Sequence, residues 1–409
     1  MRAAFVFALS IVACSRTPAP QAPSLAPAWI DADARAADLE EFCALVREHY
    51  VYAARTVGTW QDCEETFGAR ARAAQTQAQF LRVVEEAIAA LHDHHAGVGT
   101  HGPGSPHPVP TLADLWLESD RDAVVITSVR PDSPAAAAGL QPGTVVAQID
   151  GVAVETFTTD VALRVAAAGR RGQTNRVLTI EPGAQEVRLS AVLPPERVDL
   201  VSQDRVGRIG ILRIHNALGE TDLVAAFDEA LEGLGDTDGL ILDLRDTPSG
   251  GNTGVAEPIL GRFIAEEGAY QRLGWWVTAG TTRVPRAMQS VVVPRTDAPP
   301  YTKPMVVLVS RWTGSMGEGM AVGLDTLGRA TVVGTPMAGL AGGVESFTLG
   351  ASGISFQIPV GTIHTMNGTP RERWRPPVLV PPSETAEDGI LNRGLETLTS
   401  ILDAEPTVE

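Results

Sequence analysis

Leu308-Val309-Ser310-Arg311-Trp312-Thr313-Gly314-Ser315-Met316-Gly317-Glu318-Gly319-Met320-Ala321 reads as a buried strand that turns sharply into a helix, with Ser315 on the turn. The run entering it, Met305-Val306-Val307-Leu308-Val309, is continuously apolar, as a strand covered on both faces must be. The spacing Ser315-Met316-Gly317-Glu318 fits a capping box, in which the serine oxygen accepts the third helical N–H and the glutamate reaches back. A serine at such a turn also exposes its oxygen at the end of the sheet, where the helix N-terminus stabilises developing negative charge. The two readings are compatible, at different stages of a reaction.

A second stretch has the same build. Gly239-Leu240-Ile241-Leu242-Asp243-Leu244-Arg245-Asp246-Thr247-Pro248-Ser249-Gly250-Gly251-Asn252 is a buried strand ending in paired glycines, a turn that either is a plain left-handed bend or presents unblocked N–H groups. An acyl-transfer oxyanion needs two donors about 2.7–3.1 Å away, and Gly250 or Gly251 together with Met316 would supply them. With Ile209 to Ile214 as a further strand and Leu223 to Leu234 as a helix, the chain from 206 onward alternates strand and helix, an α/β core.

Upstream the period changes. From 34 to 92, Leu39, Phe42, Leu45 and Val46 recur at helical spacing, as do Phe80, Val83, Val84, Ile88 and Leu91, which predicts about three helices. They lead into Leu91-His92-Asp93-His94-His95-Ala96-Gly97-Val98. His92 and His94 have acceptable ligand spacing, with His101 and His107 nearby, but no HExxH or cysteine-rich arrangement accompanies them, so no metal is assigned. Residues 123–149 alternate instead, and the string Ser133-Pro134-Ala135-Ala136-Ala137-Ala138-Gly139-Leu140-Gln141-Pro142-Gly143, continued by Ile149-Asp150-Gly151, resembles a PDZ domain. The resemblance implies peptide capture by strand addition at Thr111 to Leu117, a stretch without the family's usual glycines.

The 409 residues carry 32 Lys+Arg against 49 Asp+Glu, a net charge of −17. That balance repels phosphates within a Debye length of about 8 Å, so nucleic acid is not an expected partner. Lys303 is the one lysine; at least seven extended residues, roughly 23 Å, separate it from the Ser315 turn. Residues 1–13 read as an export signal, and Ile11-Val12-Ala13-Cys14 resembles a lipobox, with Cys14 lipidated and a Pro-rich tether following. Cys43 and Cys63 read equally as a disulfide and as two buried thiols.

Taken in order, these motifs resemble the tail-specific or C-terminal processing serine peptidases, the family that includes the tricorn protease. The resemblance covers 35–382 and implies a ClpP/crotonase-like α/β peptidase core, with an N-terminal helical segment and an inserted β-rich PDZ domain. One branch pairs the serine with a lysine, whose position here is occupied by Leu340 in Val333-Gly334-Thr335-Pro336-Met337-Ala338-Gly339-Leu340. The other, tricorn-like branch uses a histidine matching His95 as general base, with a late glutamate as orienter, here Glu372; Asp93 is the fallback. The expectation is a lipid-anchored peptidase on the periplasmic face of a bacterial outer membrane, acting through Ser315, His95 and Glu372 on peptide or protein substrates without a cofactor. The alternatives are a catalytically inactive binding protein on the same fold and, more remotely, an α/β-hydrolase using His364. Expected bounds are 1–13 signal, 14–32 tether, 33–108 helical segment, 109–197 PDZ, 198–395 core and 396–409 tail.

Overall fold

The computed structural model describes residues 30–56, 60, 62–190, 199–279, 282–382 and 388–404. The signal, Cys14 and nearly all of the tether lie outside the described residues.

The core is a six-stranded sheet in the order Val378–Leu379, Thr331–Gly334, Met305–Val309, Gly239–Asp243, Ile209–Ile214, Val201–Val206. All pairings are parallel except that of the last strand. Every residue of Met305–Val309 and Gly239–Asp243 is buried, because helices cover both faces. Leu223–Gly233, Thr253–Leu260 and Met316–Thr326 pack on one side around Leu242, Val307 and Met320. Helix Gly389–Ala404 covers the other around Ile241, Val306 and Leu398. That helix corrects the expected tail. Residues 396–404 complete an amphipathic helix whose Leu398 is buried against the sheet, so the core does not end at 395.

The three helices expected upstream are Ala32–His49, Cys63–Ala73 and Gln77–Ala89. Asp31 and Thr76 cap the first and third by accepting from Ala34 N and Gln79 N. The sulfurs of Cys43 and Cys63 are bonded, with Cα atoms 6.0 Å apart. These helices pack on an antiparallel sheet of Gly97–Val98, Ser355–Thr365, Gly268–Ala279 and Thr282–Val292, with Gly343–Thr348 also on Ser355–Thr365. The sequence reading did not separate this sheet from the α/β core. Two of its pairings are local, Gly268–Ala279 with Thr282–Val292 and Gly343–Thr348 with Ser355–Thr365, but Ser355–Thr365 also joins Gly97–Val98 and Gly268–Ala279 far upstream.

The PDZ region is a sheet in the order Leu115–Asp120, Ala123–Val129, Val145–Ile149, Asn175–Glu181, Gln185–Ser190, with helices Pro134–Ala137 and Asp160–Ala168. It is seated on the core beside the glycine turn. Trp312 Nε1 donates to Ala113 O at 2.8 Å, Arg130 pairs with Asp246 at 3.0 Å, and the hydroxyls of Thr111 and Ser249 meet at 3.3 Å.

Candidate active site

Ser315 follows the buried strand Met305–Val309 and precedes helix Met316–Thr326, at φ 48°, ψ −108°. A non-glycine residue held in that region is strained and needs its surroundings to keep it there. Backbone bonds to the glycine turn do so: Thr247 N donates to Trp312 O (3.1 Å) and Gly314 N to Thr247 O (3.2 Å). Thr313 Oγ1 donates to Leu244 O at 2.9 Å. Gly250 has φ +65°, and a Cβ there would come within 2.4 Å of Ser315 Cβ, so only glycine fits. The glutamate of the capping-box spacing, Glu318, accepts from Ser315 N at 2.9 Å.

The two glycines have separate roles. Gly250 N already donates to Thr247 O at 3.1 Å. Among the described residues, the N–H groups of Gly251 and Met316 have no acceptor. These two are therefore the available donors beside the serine. A Cβ on Gly251 would fall 2.1 Å from Leu218 O.

His95 reaches this turn from the N-terminal helical segment, 220 residues upstream. Helix Gln77–Ala89 ends and His92 takes φ +50°. The chain then makes a short turn and enters strand Gly97–Val98, which pairs with Phe356 and Gln357. Asp93 Oδ1 accepts from His95 N (2.9 Å) and Gln357 Nε2 donates to His95 O (3.1 Å). The imidazole Nε2 stands 3.1 Å from Ser315 Oγ, and Nδ1 stands 2.9 Å from Ala341 O. A carbonyl only accepts, so Nδ1 carries the proton and Nε2 is free to accept from the serine hydroxyl. Burial lowers the pKa of His95 to about 4; the Ala341 carbonyl opposes this and Arg371 adds to it. The ring is therefore neutral at pH 7.

The orienting group is a correction to the expectation. Glu372 does not face His95; its Oε1 accepts from Arg55 Nη2 at 2.6 Å. Glu372 lies in the 3₁₀ turn Arg371–Arg373, where successive side chains point about 120° apart. With Arg371 turned inward, Glu372 is directed elsewhere. Asp93, the fallback, binds the His95 N–H and the Tyr50 hydroxyl (2.9 Å), not the ring. The group on Nδ1 is a backbone carbonyl, which no side-chain motif could reveal.

Leu340, at the lysine position of the other branch, is buried with Val109, Ala113 and Trp116. Lys303 donates to Gly235 O and Thr237 O and takes no part. His94 is turned away from the serine. It packs on Trp116 with ring centroids 5.7 Å apart, accepts from Arg164 Nη1 at 2.9 Å, and has its pKa lowered to about 3 by burial, then by Arg164 and Arg311. His364 pairs with Arg272 in the antiparallel sheet. Among the described residues, no group of three or more His, Cys, Asp or Glu is arranged to hold a metal.

Two partly buried networks have no signature in the sequence. Asp243 accepts from Arg213 and Arg245 at 2.8 Å; burial pushes its pKa up, but the two guanidiniums hold it down to about 2. Ser202, His215 and Asp246 form a second serine–histidine–carboxylate row, with 3.0 Å and 3.2 Å contacts. There the serine sits inside strand Val201–Val206, not at a strand-to-helix turn, and Asp246 is shared with Arg130 of the PDZ region. This row braces the sheet edge to the PDZ region. Its members lie 13 and 31 residues apart, and nothing in their local sequence links them.

Comparison with known proteins agrees with this architecture. Residues 208–376 match peptidase family S41 and residues 125–181 match the PDZ domain. A carboxyl-terminal-processing protease of Picosynechococcus is 29% identical over 224 residues, 52% of this chain and 50% of that protein. A probable CtpA-like serine protease of Staphylococcus epidermidis is 30% identical over 140 residues, 33% of this chain and 27% of that protein. The chain thus spans half or less of the length of these relatives. Among solved structures, mature CPAF superposes with a TM-score of 0.62 at 14% identity, covering 92% of this chain and 99% of that one. The photosystem II D1 C-terminal processing protease gives 0.56 at 19% identity, covering 91% and 98%; at these identities the likeness concerns the fold. The PDZ string, the strand–turn–helix around Ser315 and these matches together give the chain a peptidase family S41 core preceded by a PDZ domain, the build of a tail-specific protease family.

Proposed function

We propose that this chain is an exported serine endopeptidase of the Ser–His type that cuts peptides or unfolded protein tails. The observation that carries this reading is the 3.1 Å approach of His95 Nε2 to Ser315 Oγ. At the lysine position of the other branch stands buried Leu340, which has no lone pair to accept a proton. Neutral His95 takes the Ser315 proton as the oxygen attacks the peptide carbonyl, and the Gly251 and Met316 N–H groups receive the oxyanion. The imidazolium, its Nδ1–H held by Ala341 O, gives the proton to the leaving amine. Water then repeats the sequence on the acyl-enzyme.

The PDZ region supplies a second contact for the substrate chain. The strand Leu115–Asp120 is at the edge of its sheet, the position from which PDZ domains add a peptide strand. Export is supported by the Cys43–Cys63 bond, since disulfides persist in oxidising compartments. The proposed location is the periplasmic face of a bacterial outer membrane, with the chain anchored by lipid on Cys14. Among the described residues, no helix is long and apolar enough to cross a membrane.

The rival reading is an inactive binding protein on the same fold, favoured by the turning of Glu372 away from His95. Incubation with reduced, unfolded casein separates the two. The enzyme reading predicts new peptide termini by mass spectrometry that vanish in Ser315→Ala. Intact casein with wild-type protein would leave only the binding reading.

A further inference from the structure

Ala341 O can orient His95 only if its own segment is fixed, and two buried side chains fix it. Glu318 accepts from Gly339 N (2.9 Å) and Leu340 N (3.1 Å). Arg371, 3% exposed, donates through Nη2 to Leu340 O (3.0 Å) and Gly342 O (3.3 Å). The carbonyls on either side of Ala341 are thus gripped by one guanidinium nitrogen, while that of Ala341 itself meets His95 Nδ1 at 2.9 Å. Arg371 and Glu318 approach each other at 3.9 Å, so the clamp is closed on itself.

We infer that Arg371 is the positioning residue of His95: by gripping the carbonyls on either side of Ala341 it fixes the imidazole tautomer, the task a carboxylate performs in a serine–histidine–acid triad. The inference rests on the peptidase reading for its catalytic meaning, though not for its geometry. The arrangement differs from a triad in charge. A carboxylate stabilises the imidazolium, whereas a guanidinium near the ring disfavours it, the direction seen for His95.

The test uses the full chain with ¹⁵N-labelled histidine, read by NMR at pH 7.5, and parallel measurement of fluorophosphonate labelling of Ser315. Wild type should show His95 as the Nδ1–H tautomer. Arg371→Met should mix the tautomers and slow labelling by about 100-fold, the order expected for a displacement of about 1 Å. Arg371→Lys, which keeps the charge but loses the planar fork, should restore part of both. Because Arg371→Met strands a buried carboxylate, the pair Glu318→Gln/Arg371→Met is measured beside it and should show the same tautomer mixing at recovered thermal stability. A His95 that keeps its Nδ1–H tautomer in folded Arg371→Met or in the paired variant, with labelling within twofold, overturns the inference. A wild type that shows the tautomer and its loss in the variants, but never labels, sinks the peptidase reading and leaves the positioning role standing.

Discussion

The turn carrying Ser315 is held by its own neighbourhood, whereas the loop carrying His95, 220 residues away, is held from outside. Around the serine, a buried strand, a strained residue and a helix N-terminus follow one another directly in the chain. Backbone bonds from the glycine turn complete the support. Around the histidine, each restraint except the local Asp93 comes from distant chain: Gln357 on the main-chain carbonyl and Ala341 on the ring. Ser315 is thus placed by a strand-to-helix turn pinned to the adjoining glycine turn, and His95 by packing against chain far from it in sequence.

The two halves differ in the same way in what the sequence shows. Ser315, the paired glycines and the strand-to-helix turn were legible because each is a contiguous pattern with a physical reason. His95 was legible as a residue type at the end of a helical segment. Its orienter was not, because a backbone carbonyl has no residue signature and Arg371 acts through a turn it does not adjoin. Glu372 is a carboxylate in the expected region, yet a one-residue step in a 3₁₀ turn aims it at Arg55. The antiparallel sheet under the N-terminal helices was unread for a related cause. Its strand Ser355–Thr365 pairs with Gly97–Val98, over 250 residues upstream.

The largest test of the contrast removes each partner. Ser315→Ala should abolish cleavage, and His95→Ala should lower it by about 10³-fold or more, both without loss of fold by circular dichroism. If His95→Ala retains activity, the base lies elsewhere.

Glycine substitutions on the two sides sharpen it. Gly250→Ala places a methyl 2.4 Å from Ser315 Cβ at φ +65° and should cost about 100-fold in Ser315 labelling. Gly97→Ala, two residues from His95, meets nothing within 4 Å and should leave labelling within about twofold while stabilising by about 0.4–1 kcal/mol. Equal sensitivity at both positions would mean that the serine turn is no more tightly packed than the histidine loop.

Opening the Cys43–Cys63 bond, which spans 20 residues, should cost about 3 kcal/mol. Hydrogen exchange should show the loss confined to residues 32–91, with residues 305–326 still protected. Deprotection of the serine strand to the same degree would mean that the two regions are one cooperative unit.

The last effect is in pH. Burial lowers His94 to about 3 and His95 to about 4, while an unfolded histidine titrates near 6.5. Between those values the unfolded chain binds more protons, so stability rises with pH across the window and falls as the medium is acidified from about 6.5 towards 4. Each histidine contributes at most about 1.4 kcal/mol per pH unit. His94→Gln should flatten the slope measured by chemical denaturation, and an unchanged slope would mean that His94 is protonated in the fold.

The most direct measurement is the rate of covalent capture of Ser315 by a fluorophosphonate as pH is lowered from 8 to 4. A Ser315–His95 pair gives one adduct on Ser315, a rate held nearly constant to about pH 5 and falling as His95 protonates, and about 10³-fold slower capture in His95→Ala. Equal capture rates in wild type and His95→Ala would contradict it.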